Sequence, residues 1–190
     1  MQAARGASLN PSDQTDQAPS RPRVDARLVL AAAALVAYGL DLASKQWALA
    51  ELADGDISVI GDWLTLHLTF NPGAAFSTGT DFTIVFTCLA MVAVVVVLWL
   101  SRRVRSVGWG VALGLLLGGV AGNLTDRIVR EPEPFHGHVV DFLMLPNWPV
   151  FNIADMCINI AAGLIILQTF RGIALDGTRD SDRRSGHEAA

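Results

Sequence analysis

Charge is scarce in this chain, and cysteine scarcer still. Of 190 residues, 17% are charged and 52% hydrophobic, and the net charge is only −4, with a pI near 5.4. So mild a balance leaves no basic footprint for nucleic acid. So few charges on so apolar a chain argue against an ordinary soluble domain and point to a membrane. The two cysteines, Cys88 and Cys157, lie inside apolar runs without framework spacing, which reads as core thiols rather than a disulfide or metal site. No Gly-x-Ser-x-Gly elbow, no Ser–His–Asp set outside the tails and no phosphate-cradling glycine loop occurs. His136 and His138 stand near Asp141, but His-x-His in a loop is weak evidence for a metal, and none is expected. His67 reads as a surface residue.

What the chain has in quantity is long apolar runs. A helix needs about 20 apolar residues to cross a hydrocarbon core. Four segments qualify: Leu28–Leu49, Phe82–Leu100, Val107–Ile128 and Val150–Phe170. Residues 1–26 and 172–190 are polar and aperiodic, and read as disordered cytoplasmic tails flanking one membrane domain over residues 27–171. The first run holds Asp41 and Lys45 and is followed by no convincing cleavage site, so it is not expected to be a removable signal peptide.

Arginine sets the expected orientation. Arg21, Arg23 and Arg27 precede the first span, Arg102, Arg103 and Arg105 join spans two and three, and Arg171 follows the fourth. The loop from Ala50 to Asp81 has no lysine or arginine. The positive-inside rule then places both termini in the cytoplasm and the two longer loops outside. In the first of these loops, Leu64, Leu66, Leu68 and Phe70 alternate with Thr65, His67 and Thr69, the period of a half-buried strand. With "ISVI" before it, a small sheet on the outer membrane surface is expected, and "NPGAAF" after it signals a turn. Gly110, Gly114, Gly118 and Gly122 repeat every four residues along span three, which reads as a close-packing face.

The polar residues of the spans fall near their outward ends. Asp41, Ser44 and Lys45 belong to span one, Asn123, Asp126 and Arg127 to span three, and Asn152, Asp155 and Asn159 to span four. Asp41 and Lys45 are an i,i+4 pair in the favourable order, and Asn152, Asp155 and Asn159 share a helix face. Ionisable groups in spans point to function by default, although pairing that merely holds the bundle together is the alternative. For Asp126, neutralisation by Arg127 is the structural expectation. Asp141 and Asp155 are left without an obvious cation. Two carboxylates brought close at a half-dry interface cannot both ionise cheaply, so their protonation states separate. Such a pair can take a proton from water and give one to a carbonyl oxygen, which is aspartic peptidase chemistry without an acyl-enzyme. Pro146 and Pro149 in "MLPNWPV" would turn the chain back to the same interface, with Trp148 as an interfacial anchor. A proton- or ion-coupled transporter would use similar carboxylates, but it needs ionisable groups through the whole membrane and the inward halves here are apolar. A non-catalytic bundle with structural aspartates remains the third reading.

Five motifs bring a resemblance. "DLASK" (Asp41 to Lys45), "NPGAAFS" (Asn71 to Ser77), "GNLTDR" (ending at Arg127), "VVDF" (Val139 to Phe142) and "FNIAD" (Phe151 to Asp155) occur in order on the expected elements. Together they resemble the lipoprotein signal peptidases, or signal peptidase II, over about Leu28 to Phe170. The resemblance implies an all-α membrane fold, with four transmembrane helices, a small extracytoplasmic β-sheet forming a cradle, and a surface helix or loop. It implies Asp141 and Asp155 as the catalytic dyad, Asn71, Asn123, Arg127 and Asn152 as residues that orient substrate and dyad, and Asp41, Lys45 and Asp126 as structural support, Asp126 as partner of Arg127. It implies no cofactor. Its substrates would be diacylglyceryl-modified prolipoproteins, cut N-terminal to the lipidated cysteine by dyad-activated water. The enzyme would sit, as a monomer among membrane lipid, in the bacterial cytoplasmic membrane with its site near the outer face. "IVREPEPFHGHVVD" is longer between motifs than the family pattern, which leaves the surface helix unplaced.

Overall fold

The computed structural model describes residues 24–73 and 83–179. Seven elements follow in order: α1 (Ala26–Glu51), β1 (Ile57–Ile60), β2 (Leu64–Asn71), α2 (Thr83–Ser101), α3 (Val107–Val129), β3 (Val139–Met144) and α4 (Ile153–Phe170). All four helices are long and apolar enough to cross a membrane. Their surfaces are dressed for lipid, with Leu28, Leu35, Val92, Val95 and Ile166 all more than half exposed.

Helix α3 is the axis of the bundle, and its glycines are the reason. A Cβ on Gly110, Gly114 or Gly118 would come within 2.5–2.6 Å of the carbonyl oxygens of Ala26, Leu30 and Ala34 of α1. One on Gly122 would collide with the Asp41 carboxylate. On another face, Gly119 lies against the carbonyl of Ala154, where a Cβ would stand 2.7 Å away. The expected packing face is therefore real, and close approach of backbones replaces the hydrophobic drive that lipid does not supply. Two small apolar cores cap this seam. Ala26, Leu30, Val97, Val104 and Leu113 fill the arginine-loop end, and Ala48, Leu52 and Phe142 fill the sheet end.

The sheet is antiparallel, in order β1-β2-β3. Strand β2 is the one read from its alternation. Strand β3 was not expected, and it carries Asp141, placed opposite Thr69 with Val139 opposite Asn71. Its first four residues are buried on both faces, so no alternation betrays it. The long segment 130–138 forms a loop, the second of the two expected forms. It folds back on the end of α3, where Gly137 N donates to Arg127 O at 3.0 Å and His138 N to Glu131 O at 3.0 Å. Among the described residues no separate surface helix occurs.

Past α4, residues 172–179 pack as a closed turn rather than starting a tail. Trp109 Nε1 donates to Ile173 O at 2.8 Å, and Arg105 N to Leu175 O at 2.9 Å. Residues 1–23, 74–82 and 180–190, which hold most of both expected tails and the "AAFS" of the outer-loop motif, lie outside the described residues.

Candidate active site

The sheet end of the bundle holds two polar layers. The deeper one centres on Lys45, the chain's only lysine, which has no exposed surface. Its Nζ lies 2.8 Å from both Asp41 Oδ2 and Asp126 Oδ2 and donates to Asn123 Oδ1 at 2.9 Å. The contact with Asp41 Oδ2 is an ion pair without hydrogen-bond direction. The far oxygens of these aspartates reach other elements. Asp41 Oδ1 accepts from Ala154 N at 2.9 Å, tying α1 to the start of α4. Asp126 Oδ1 pairs with Arg130 Nε at 2.5 Å, and its Oδ2 accepts from Val140 N at 3.3 Å, tying α3 to β3. Buried charges are tolerable when paired and bonded in this way.

The second layer is made of amides. Asn152 is not on the face of a helix, as its spacing from Asp155 suggested, but is the N-cap of α4. Its Oδ1 accepts from Asp155 N at 2.9 Å while Asp155 Oδ2 accepts from Asn152 N at 3.2 Å, a reciprocal capping box. The Asn152 Nδ2 donates to Asp141 Oδ1 at 2.6 Å and approaches Asn123 Oδ1 at 3.1 Å. One residue thus touches both aspartates. Asn123 Nδ2 donates to Asp155 Oδ1 at 2.8 Å, and Asn71 Nδ2 to Asp141 Oδ2 at 2.9 Å. Every oxygen of Asp141 and Asp155 accepts from an amide, and among the described residues neither carboxylate is in an ion pair.

Asp141 is 1% exposed. Desolvation pushes its carboxyl up to about 6, and the nearby Asp155 charge pushes the same way, against the opposing pull of the Asn71 and Asn152 amides. Asp155 is half-buried in the first turn of α4. It opens on a cleft of about 280 Å³ lined by Trp148, Phe151, Met156, Asn159 and Ile160. That cleft, walled mostly by apolar side chains, reaches the Asp155 carboxylate.

Arg127 does not neutralise Asp126. Adjacent residues on a helix point in different directions, and the cations that meet Asp126 come from i+4, Arg130, and from α1, Lys45. Arg127 instead turns toward α2, with its guanidinium 5.8 Å from the centroid of the Phe86 ring, and its buried Nη1 has no hydrogen-bond partner among the described residues. Without forming an ion pair among the described residues, it lies within electrostatic reach of Asp141, Asp126 and Asp155. Gly73 closes this corner with φ +105, and a Cβ there would press on Phe86 at 2.8 Å. Two contributors, Arg130 and Gly122, lie outside the site set expected from the sequence. Arg130 was visible as the i+4 neighbour of Asp126. Gly122, whose absent side chain makes room for Asp41, was visible only as part of a packing repeat.

Fold and site together define a membrane-embedded enzyme that brings buried carboxylates to one end of a helix bundle. A profile described as Signal peptidase (SPase) II matches residues 33–171, and the chain belongs to that family of membrane aspartic peptidases. The lipoprotein signal peptidase of Leifsonia xyli subsp. xyli is 42% identical over 98% of this chain and 88% of its own. That of Streptomyces coelicolor is 48% identical over 87% and 82%, and that of Mycobacterium tuberculosis 41% over 92% and 91%. Two solved structures of a bacterial membrane enzyme share the fold at 24% identity. Their TM-scores are 0.65 and 0.64, and the match covers 74% of this chain with 87% and 91% of theirs.

Proposed function

We propose that this chain removes the signal peptide from prolipoproteins whose cysteine carries a diacylglyceryl group, cutting on the N-terminal side of that cysteine. Asp141 and Asp155 are the catalytic dyad. The reading rests above all on the contrast in partners: these two carboxylates are held by amides, while Asp41 and Asp126 beside them are held by cations. Amides fix a carboxylate in place and favour its charge less strongly than a full cation does.

In the proposed reaction a water lies between the dyad carboxyls. The ionised member takes its proton as the oxygen attacks the scissile carbonyl, and the protonated member gives its proton to the carbonyl oxygen. As the resulting diol collapses, the C–N bond breaks, the leaving amine takes up the proton the first carboxylate had gained, and the carboxylate that had given its proton takes one back from a diol hydroxyl, which restores the dyad. Asp141, with its raised proton affinity, is suited to hold the proton that is donated. Asn152 and Asn123 hold the dyad in register, while Asn71 and Arg127 face the side on which substrate backbone must lie. Asp41, Lys45 and Asp126 keep the elements in place. The lipid anchor and apolar signal helix of such a substrate bring its scissile bond to the depth of this site, so the bilayer does much of the orienting. The unpaired arginines at the opposite end of the bundle support cytoplasmic termini and a site near the outer face of the bacterial cytoplasmic membrane.

The test is cleavage of a diacylglyceryl-modified prolipoprotein by purified enzyme. Asp141→Asn and Asp155→Asn should each abolish it while the protein stays folded in detergent; full activity in either ends the dyad assignment. An unmodified precursor should remain uncut, and cutting at an equal rate would remove the lipid from the specificity.

A further inference from the structure

The end of the bundle farthest from the sheet carries charge that the reaction does not use. Six arginines gather there among the described residues: Arg27, Arg102, Arg103, Arg105, Arg171 and Arg179. None of them is in an ion pair among the described residues. The nearby carboxylates are engaged locally. Asp25 caps α1 by accepting from Arg27 N at 2.9 Å, and Asp176 accepts from Thr178 N at 3.0 Å.

These arginines are not spread evenly. A cleft of about 430 Å³ opens between the start of α1 and the connection from α2 to α3, lined by Val24, Asp25, Ala26, Arg27, Val104 and Arg105. Its shape is set by Arg27, whose Nη2 donates to Arg102 O at 2.5 Å and so clamps the helix start to the connection. On the far side Arg103 is stacked over Trp99 at 4.5 Å from the ring centroid, which leaves Arg27 and Arg105 to face the cleft. Ala26 and Val104 in its wall are buried and apolar, while Val24 in the same wall is 66% exposed and Leu28, one residue past Arg27 on α1, 69%.

We propose that this cleft binds the headgroup of an anionic phospholipid of the surrounding bilayer. Arginine forks match a phosphodiester in geometry and charge. Basic pockets between membrane helices at headgroup depth are the sites where such lipids are held. The apolar mouth favours a lipid over a soluble anion. Val24 in the cleft wall and Leu28 in the first turn of α1 offer exposed apolar surface that an acyl chain rewards. The site is independent of the dyad and lies at the other end of the molecule, so it acts by seating the bundle rather than by touching substrate.

The experiment is native mass spectrometry of the full chain in detergent, titrated with phosphatidylglycerol or with phosphatidylcholine. Phosphatidylglycerol should bind more tightly, and the preference should fall about fivefold with Arg105→Gln and roughly 25-fold with Arg27→Gln/Arg105→Gln, from about one unit of surface charge interaction per arginine. The side chain of Arg105 makes no hydrogen bond to the rest of the chain among the described residues, so its variant tests the site even if loss of the Arg27 clamp unfolds the double variant. Arg171→Gln, at the same end but outside the cleft, should keep the preference. Equal binding of the two lipids, or a preference untouched by Arg105→Gln, overturns the proposal. So does inorganic phosphate that displaces phosphatidylglycerol at millimolar concentration, which would assign the cleft to a soluble anion.

Discussion

Asp41 and Asp126 differ from Asp141 and Asp155 in one respect that outweighs their common chemistry. All four are gathered at one end of the same bundle, and Asp41, Asp126 and Asp141 are almost wholly buried. The first two share a lysine, and one has an arginine besides. The second two share only asparagines. A buried cation shared by two carboxylates ties their helices together, which serves architecture. An amide holds a carboxylate in position with a weaker pull on its proton, which suits the chemistry proposed for this pair. Asn123 joins the two sets, because it accepts from Lys45 and donates to Asp155, so the ion network fixes which way that amide points.

Substitution should separate the two sets by what fails. The largest effect is expected from Asp141→Asn or Asp155→Asn, with turnover down at least ~10³-fold, since acid–base catalysis is worth that much, and little change in melting temperature. A prolipoprotein cleavage assay run beside a thermal melt reads both. Lys45→Met should do the reverse and lower stability by about 3–5 kcal/mol, because Asp41 and Asp126 are left buried with their shared charge removed. A Lys45 variant that melts like the parent would show that the deeper layer is not structural.

Acidity probes the amide-held set directly. A carboxyl whose proton affinity is higher folded than unfolded binds more protons in the folded state, so stability falls as pH rises between the two pKa values. For Asp141 that window runs from its ordinary 3.8 to about 6, and across it about 3 kcal/mol should be lost. Denaturation at stepped pH should show this slope in the parent and not in Asp141→Asn; identical slopes would mean that Asp141 does not titrate in that window. The smallest effect concerns the loop beyond α3. Thr87 Oγ1 lies 2.8 Å from Phe135 O and 2.9 Å from Thr83 O, so Thr87→Val should cost about 1 kcal/mol. If turnover drops far more than stability, the loop takes part in holding substrate.

Much of this was legible in the residues, and the failures are instructive. The four spans were readable because a bilayer demands length and apolarity that nothing else mimics. The glycine repeat announced its packing face, and β2 announced itself by alternation. Strand β3 hid because "VVDFLM" is buried on both faces at its start, which erases the period. The spacing of Asn152 from Asp155 fits a shared helix face and an N-cap with its N3 partner equally well, so spacing alone does not separate the two. The pairing of Asp126 with Arg127 rested on adjacency in sequence, which on a helix separates side chains rather than joining them. The residues singled out in the sequence do gather at one end of the bundle, but their wiring was not legible, because wiring depends on which element each neighbour arrives from.

The glycine ladder of α3 has one more implication. A contact that repeats every four residues on both helices matches itself after a slip of one turn, so smallness alone cannot tell the bundle where to stop. The degeneracy ends at Gly122, where the opposing group is no longer a main-chain carbonyl but the Asp41 carboxylate with Lys45 behind it. The charged terminus acts as the vernier of the ladder: it selects one sliding position among several nearly equal ones, and in that position alone does Asp41 meet the first turn of α4.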